Sequence, residues 1–136
     1  MHRIFIDGQN GTTGLQIQDR LAERDDIELI ELSDAERKTD TAKRAALRAA
    51  DVAILCLPDD AARQTAGLTT ETRLIDASTA HRTHPDWTYG LPELCPEQRQ
   101  NIKNAMRVSN PGCYPTGFIL LLRPLIPLGL LKPAQP

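Results

Sequence analysis

Cys113 lies in a short segment whose residue types suit a nucleophile. The segment is SNPGCYPTG over residues 109–117, and it follows a predicted strand at 107–109. Proline and glycine predict a tight turn before the cysteine, and Pro115 fits the first turn of a helix, where backbone N–H groups have no helical partner. A helix N-terminus favours a thiolate over a thiol. We therefore expect Cys113 to attack acyl groups or aldehydes, with free amides beside it for a developing oxyanion.

A buried structural cysteine is the alternative, because free cysteines are among the most buried residues. The turn and cap residues around Cys113 favour the nucleophile. Cys56 lies in an apolar run at 51–57 and is predicted to be a core residue, whereas Cys95 has no predicted role. The three cysteines include no CxxC pair, which disfavours a zinc ribbon.

A glycine-rich turn at 8–14, GQNGTTG, separates a predicted strand at 3–6 from a predicted helix at 12–24. Glycines let backbone amides approach a pyrophosphate, and the helix N-terminus favours its negative charge. Asn10-Gly11 could instead form a hairpin turn, but the helical spacing that follows favours a nucleotide site. The predicted cofactor-binding residues of this turn are Gly8, Asn10, Gly11, Thr12, Thr13 and Gly14.

The end of the second predicted strand, at 27–32, bears on the choice of cofactor. An acidic residue commonly binds the ribose of NAD at this place, whereas here Ser33 follows the strand. Arg37 and Lys38 come soon after and suit a 2′-phosphate, which favours NADP over NAD. The alternative is that both cations only solvate the start of a helix.

The remaining elements complete an alternation of strands and helices. Helices are predicted at 39–50, from 58, after 96 and from 114 to 124, with strands at 51–57, 73–76 and 107–109 and a loop at 78–92. This order predicts an α/β fold: a Rossmann-type, mostly parallel sheet with helices on both faces.

Composition and charge exclude several classes of binding partner. The chain has 136 residues and a net charge of −2, which argues against binding to nucleic acid through phosphate contacts. We expect no signal peptide, because a run of only three apolar residues precedes Asp7, and no membrane span, because the apolar stretch at 118–131 is too short and too interrupted. We expect a cytoplasmic protein with no membrane or nucleic-acid partner. Because a helix that is apolar on all sides needs neighbours, we expect a second domain or another chain to cover this stretch.

Five segments together resemble the short form of N-acetyl-gamma-glutamyl-phosphate reductase and, more distantly, aspartate-semialdehyde dehydrogenase. They are IDGQNGTTGL (6–15), LCLPDDAA (55–62), IDASTAHR (75–82), YGLPEL (89–94) and SNPGCYPTG (109–117). The resemblance extends over nearly the whole chain, and the cysteine and YGLPEL segments are its most specific parts.

The resemblance implies NADPH-dependent reduction of an acyl phosphate to N-acetylglutamate semialdehyde, a step in arginine biosynthesis. Cys113 would displace phosphate and form a thioester. Leu57, Pro58 and Ser78 would lie along the nucleotide, and Tyr89 and Glu93 near the substrate. The alternatives are a related dehydrogenase acting on aspartyl phosphate and a nucleotide-binding module without catalysis.

The family has a second domain that carries a catalytic histidine, and this chain stops at Pro136. We therefore expect a dinucleotide-binding domain at 1–112, a truncated start of the catalytic domain at 113–136, and little or no turnover by this chain alone. The full-length form is expected to be a homo-oligomer. His81 and His84 are poor substitutes for the missing histidine, and without a third ligand they do not make a metal site.

Overall fold

The chain folds as an alternation of strands and helices, seen in a computed structural model that describes residues 1–131. The described strands are β1 (His2–Asp7), β2 (Ile27–Ile30), β3 (Val52–Leu55), β4 (Arg73–Asp76), β5 (Thr88–Tyr89) and β6 (Arg107–Ser109). The described α-helices are α1 (Thr12–Ala22), α2 (Asp40–Ala49), α3 (Asp59–Ala66), α4 (Gln98–Asn104) and α5 (Cys113–Leu122).

The strands form one parallel sheet in the order β2-β1-β3-β4-β6-β5. From β1 the chain moves outward to β2 and then returns to place β3 on the other side of β1. The strand order therefore reverses between β1 and β3, and ligands of open α/β sheets bind beyond the carboxyl ends of the strands at such a point. The predicted Rossmann-type fold is confirmed.

The core is built from the middle of the sheet and the helices beside it. Phe5, Ala53, Leu55 and Leu74 come from β1, β3 and β4 and are almost fully buried, and Leu47 of α2 packs against them. In β3 and β4 these buried residues alternate with half-buried ones, so one face of the sheet is fully covered and the other only partly.

Asp7, at the carboxyl end of β1, is a buried charge with two partners. Its Oδ2 lies 2.8 Å from Nζ of Lys43 and accepts a hydrogen bond from the hydroxyl of Thr65 at 2.9 Å. The ion pair and the hydroxyl satisfy a carboxylate that is only 4% exposed.

α5 differs from the other helices because the rest of the described chain leaves it uncovered. None of its residues is buried. Phe118 and Leu121 are 66% and 70% exposed, and Leu128 and Leu130 beyond the helix are equally open. The described residues thus do not supply the neighbours that this apolar stretch was expected to need. No helix among them is long and apolar enough to cross a membrane.

The predicted boundaries hold to within a few residues, with two differences. The strand predicted at 51–57 ends at Leu55, so Cys56 lies beyond it and is half-buried, not a core residue. The loop predicted at 78–92 contains β5, two residues that pair with Val108 and Ser109 of β6. Two residues are too few to show an alternating pattern, so only the neighbouring strand specifies β5. Residues 132–136 of the predicted catalytic segment lie outside the described residues.

Candidate active site

The glycine turn lies at the point where the strand order reverses, and two of its glycines are required by the fold itself. Gly8 has φ of +91°, and a Cβ there would overlap the carbonyl oxygen of Cys56. A Cβ on Gly14 would overlap the Gly8 carbonyl oxygen and lie 2.6 Å from Cα of Gln9, so α1 packs directly on the turn. The turn after β1 therefore packs directly against the residue after β3 and against the start of α1, and no side chain fits at Gly8 or Gly14.

Gly11 is different, because its own surroundings do not require glycine. It is exposed, has extended backbone angles (φ −77°, ψ 159°), and a Cβ would meet only the Gly8 carbonyl oxygen, at 3.4 Å. A side chain at this position would project from the N-terminus of α1. The missing Cβ leaves that N-terminus open to a ligand that approaches the backbone closely.

The N-termini of α1 and α5 have no side-chain caps. Gly11 and Gly112 are their N-caps, neither provides a side-chain hydrogen bond, and neither first turn contains an acidic residue. By contrast, Thr39 caps α2, and Asp59 and Asp60 open α3. The first-turn N–H groups of α1 and α5, including those of Thr12 and Thr13, are therefore available to an anion.

Cys113 is the first residue of α5, and it is exposed. Asn110, which leads into this turn, donates its backbone N–H to the carbonyl oxygen of Asp76 at 2.7 Å. This bond fixes the cysteine turn beside the loop that follows β4. The glycine turn follows the carboxyl end of β1, and the cysteine turn follows that of β6, so both lie at the same end of the sheet. Three strand spacings, about 14 Å, separate β1 from β6.

The carboxylate of Asp76 organises the loop after β4. It is fully buried and accepts hydrogen bonds from Ser78 through the backbone N–H at 3.0 Å and the hydroxyl at 2.7 Å. Nδ1 of His81 lies 2.6 Å from the same carboxylate, and the His81 ring stacks on Trp87 with centroids 4.0 Å apart. The Asp76 carboxylate thus fixes both Ser78 and His81, and the imidazole of His81 is buried in this hydrogen-bond network.

Arg82 is a candidate site residue that no sequence motif indicates by itself. Its Nε donates to the carbonyl oxygen of Asn110 at 3.1 Å, and Nη2 donates to that of Ala77 at 3.3 Å. Its Nη1 lies so close to Gly112 that a Cβ there would be 2.5 Å away. The guanidinium thereby places a positive charge one residue from Cys113. Only the packing of the two loops shows this, because 30 positions separate Arg82 from Gly112.

A second carboxylate holds the same loop from α3. Asp59 accepts hydrogen bonds from the backbone N–H of Thr79 at 3.0 Å and from its hydroxyl at 2.5 Å. The bond from the Thr79 hydroxyl is the main cause that lowers the pKa of Asp59 below its ordinary value. Asp59 and Asp76 therefore both anchor the part of the loop that precedes Arg82.

A groove of about 500 Å³ lies beside the start of α5. Arg82, Tyr89 and Pro115 line it together with Thr79, Thr83, Leu94 and Ile119. Of the two residues predicted to lie near the substrate, Tyr89 lines this groove, whereas Glu93 lies in a separate small pocket with Ile119 and Arg123.

The residues predicted to contact a 2′-phosphate lie in the segment that follows β2. Arg37 is turned toward the strand, where its Nε donates to the Leu32 carbonyl oxygen at 2.9 Å. Ser33 and Lys38 are exposed, and Ser33 is bonded to Glu36. Pro58 is the N-cap of α3, and the side chain of Leu57 packs beside Gly8.

These observations define a nucleotide-binding α/β domain: a parallel sheet of six strands, with a glycine turn where the strand order reverses and open helix N-termini on the same edge. The sequence profile described as "Semialdehyde dehydrogenase, NAD binding domain" matches residues 30–102, more than half of the chain. The chain therefore belongs to the semialdehyde dehydrogenase family and contains its NAD-binding domain.

Curated relatives carry a more specific name. The chain is 57% identical over 137 residues to the N-acetyl-gamma-glutamyl-phosphate reductase of Brucella ovis, and to that of Brucella canis. Each alignment covers 98% of this chain and 44% of the relative, so the chain spans less than half the length of these curated relatives. The resemblance found in the sequence is confirmed.

Solved structures support the fold. Aspartate semialdehyde dehydrogenase from Francisella tularensis has a TM-score of 0.67 at 18% identity, covering 95% of this chain and 42% of that one. The enzyme from Candida albicans, solved with NADP, has a TM-score of 0.65 at 13% identity, covering 96% and 48%. At these identities the likeness establishes the fold alone.

Proposed function

We propose that this chain is the cofactor-binding part of an NADPH-dependent reductase that converts N-acetyl-gamma-glutamyl phosphate to N-acetylglutamate semialdehyde and phosphate. The observation that carries the proposal is an exposed cysteine on an uncapped helix N-terminus, at the same sheet edge as the glycine turn. The identity to curated reductases that bear this name supports the choice of substrate.

Cys113 is the proposed nucleophile. Its sulfur attacks the acyl carbon, and the bond from that carbon to the phosphate oxygen breaks. Inorganic phosphate is released, and the acyl group stays on Cys113 as a thioester. The first-turn N–H groups of α5 face the carbonyl oxygen as it gains negative charge. Arg82 adds a fixed guanidinium beside the turn, which suits the phosphate of the substrate.

The dinucleotide is assigned to the glycine turn. The open amides of α1 and the missing side chain of Gly11 fit a pyrophosphate. Leu57 packs beside Gly8, Pro58 follows Leu57 as the N-cap of α3, and Ser78 follows β4 at the same end of the sheet; we assign all three to the nucleotide. When bound, a reduced nicotinamide would supply a hydride to the thioester carbon. The C–S bond of the resulting hemithioacetal then breaks, which releases the aldehyde and returns the Cys113 thiolate. We propose NADP rather than NAD, with Ser33, Arg37 and Lys38 at the 2′-phosphate.

The organisation of the longer protein is part of the proposal. Residues 1–112 are assigned to the dinucleotide-binding domain, and 113–136 to the start of a catalytic domain that covers the apolar side chains of α5. A cytoplasmic location, a homo-oligomeric full-length form and little turnover by the chain alone are further predictions.

A related dehydrogenase that acts on aspartyl phosphate is the second candidate, since solved structures of that enzyme class have the same fold. Its chemistry at Cys113 is the same, because both substrates are acyl phosphates. The difference lies in the group that the site recognises.

Acyl transfer to the chain itself tests the proposal. Purified 1–136 is mixed with N-acetyl-gamma-glutamyl phosphate or with aspartyl phosphate, and intact mass spectrometry detects the acyl group. We expect a hydroxylamine-sensitive adduct on Cys113, with release of phosphate, faster with the first substrate. The adduct should be absent in Cys113→Ser and present in the matched control Cys95→Ser. Acylation spread equally over the cysteines would refute the nucleophile, and a preference for aspartyl phosphate would favour the second candidate.

A further inference from the structure

Glu36 occupies the turn after β2 in which a 2′-phosphate would have to bind. Its carboxylate Oε2 accepts a hydrogen bond from the backbone N–H of Ser33 at 2.9 Å and another from the Ser33 hydroxyl at 2.5 Å. In return, the N–H of Glu36 lies 3.4 Å from the Ser33 oxygen. These reciprocal contacts form a capping box, which closes the turn on itself.

Both donors of Ser33 are therefore already used. A phosphate oxygen at the end of β2 would need the same N–H and hydroxyl, since Ser33 is the first residue there with a short polar side chain. Arg37 is similarly engaged: besides its bond to Leu32, its Nη2 lies 3.1 Å from Asp34. A phosphate must replace existing bonds of this turn, not only add new ones.

The charge of Glu36 opposes the same ligand. Its hydrogen bonds with Ser33 lower the pKa of Glu36, so the carboxylate is ionised at neutral pH. A phosphate bound to Ser33 would lie within a few ångströms of that carboxylate and be repelled by it. NAD carries a ribose hydroxyl at this position, which can instead donate a hydrogen bond to a carboxylate.

We propose that Glu36 is a specificity-determining residue, whose contacts with Ser33 hold this turn closed against the 2′-phosphate of NADP. NADP, the proposed cofactor, binds with the Glu36 side chain turned away, so that Ser33 is free to contact the 2′-phosphate, whereas NAD would need no such change. The affinity of the chain for NADP is thereby lower than its other residues would give. The inference rests on the proposed function in one respect, that a dinucleotide binds across the glycine turn.

Calorimetric titration of the 136-residue chain with NAD and with NADP tests the inference. Glu36→Ala releases both donors of Ser33 and removes the charge, and we expect NADP to bind roughly tenfold more tightly, as removal of one nearby like charge predicts. Binding of NAD should change less than about twofold or weaken, because NAD loses only an acceptor. Glu28→Ala is the matched control: Glu28 lies on β2, the strand that precedes this turn, and its loss removes the same charge but breaks only the exposed contact with Arg3.

Glu36→Gln decides the matter if the alanine variant does not fold. The amide oxygen can still accept from Ser33 and keep the turn folded, but the charge is gone, so NADP should again gain relative to NAD. An unchanged ratio of the two affinities overturns the inference. Equal weakening of both nucleotides also overturns it, because it would show that the capping box is only structural. Failure of the unaltered chain to bind either nucleotide overturns the proposed nucleotide site and this inference with it.

Discussion

The guanidinium of Arg82 packs against the backbone of Gly112, the N-cap of the helix that begins with Cys113. A Cβ on Gly112 would lie 2.5 Å from Nη1 of Arg82, and two carbonyl oxygens, those of Asn110 and Ala77, hold the guanidinium in place. The contact joins the loop after β4 to the turn after β6. It connects a fixed positive charge with the proposed nucleophile.

Gly112→Ala is expected to displace Arg82 and to cost about 1–2 kcal/mol of unfolding free energy, because the guanidinium must give up bonds to backbone carbonyls. Urea unfolding followed by circular dichroism measures the effect. Gly117→Ala is the control in the same helix. Nothing lies within 4 Å of a Cβ at Gly117, so that variant should be more stable by about 0.5–1 kcal/mol. Equal stability of the two variants would contradict the packing of Arg82 on Gly112.

The three glycines of the nucleotide turn should separate into two groups. Alanine at Gly8 or Gly14 overlaps backbone atoms and should reduce the unfolding free energy by about 2–4 kcal/mol. Gly11→Ala should change it by less than about 1 kcal/mol, since its backbone angles are open to any residue.

The same Gly11→Ala variant should bind dinucleotide at least roughly tenfold more weakly, because its methyl group meets the pyrophosphate. Calorimetry with NAD and NADP measures the affinity, and unfolding curves show that the fold is intact. If the variant keeps both its stability and its affinity, the pyrophosphate does not bind at Gly11.

Iodoacetamide should label Cys113 well before Cys56. Cys113 is exposed, whereas Cys56 is half-buried, and burial, followed by the charges of Asp76 and Asp7, raises the pKa of the Cys56 thiol. A raised pKa leaves less thiolate at neutral pH, so labelling of Cys56 should increase only as the pH rises toward that value. Peptide mapping between pH 7 and 10 measures both sites, with Cys113→Ser as the control. Faster labelling of Cys56 at pH 7 would be incompatible with this arrangement.

Lys43→Met should cost about 2–4 kcal/mol of unfolding free energy, because it leaves the buried carboxylate of Asp7 without its counter-ion. The double variant with Asp7→Asn should recover much of the loss. Arg24→Met removes an exposed pair with Asp26 and should cost less than about 1 kcal/mol. Chemical unfolding at neutral pH compares the three, and a double variant no more stable than Lys43→Met would show that the charge of Asp7 is not the cause.

Some contacts of the site can be predicted from the sequence, and others cannot. Ser33 and Glu36 are three positions apart, the spacing of a capping box, so a search for that signature finds their contact without coordinates. The clustering of Ser78 and His81 on Asp76 is also short in range, but its burial is not visible in the sequence. β5 depends wholly on β6.

Consecutive residues by themselves determined the alternation of strands and helices, the glycine turn and the place of Cys113 at the start of a helix. Each follows from local sterics, apolar spacing and free backbone amides, which need no distant partner. Tertiary structure alone decided that Arg82 packs on Gly112 and that Lys43 neutralises Asp7. These side chains meet because the order and register of the parallel strands bring separate loops to one edge, and no local preference encodes that order.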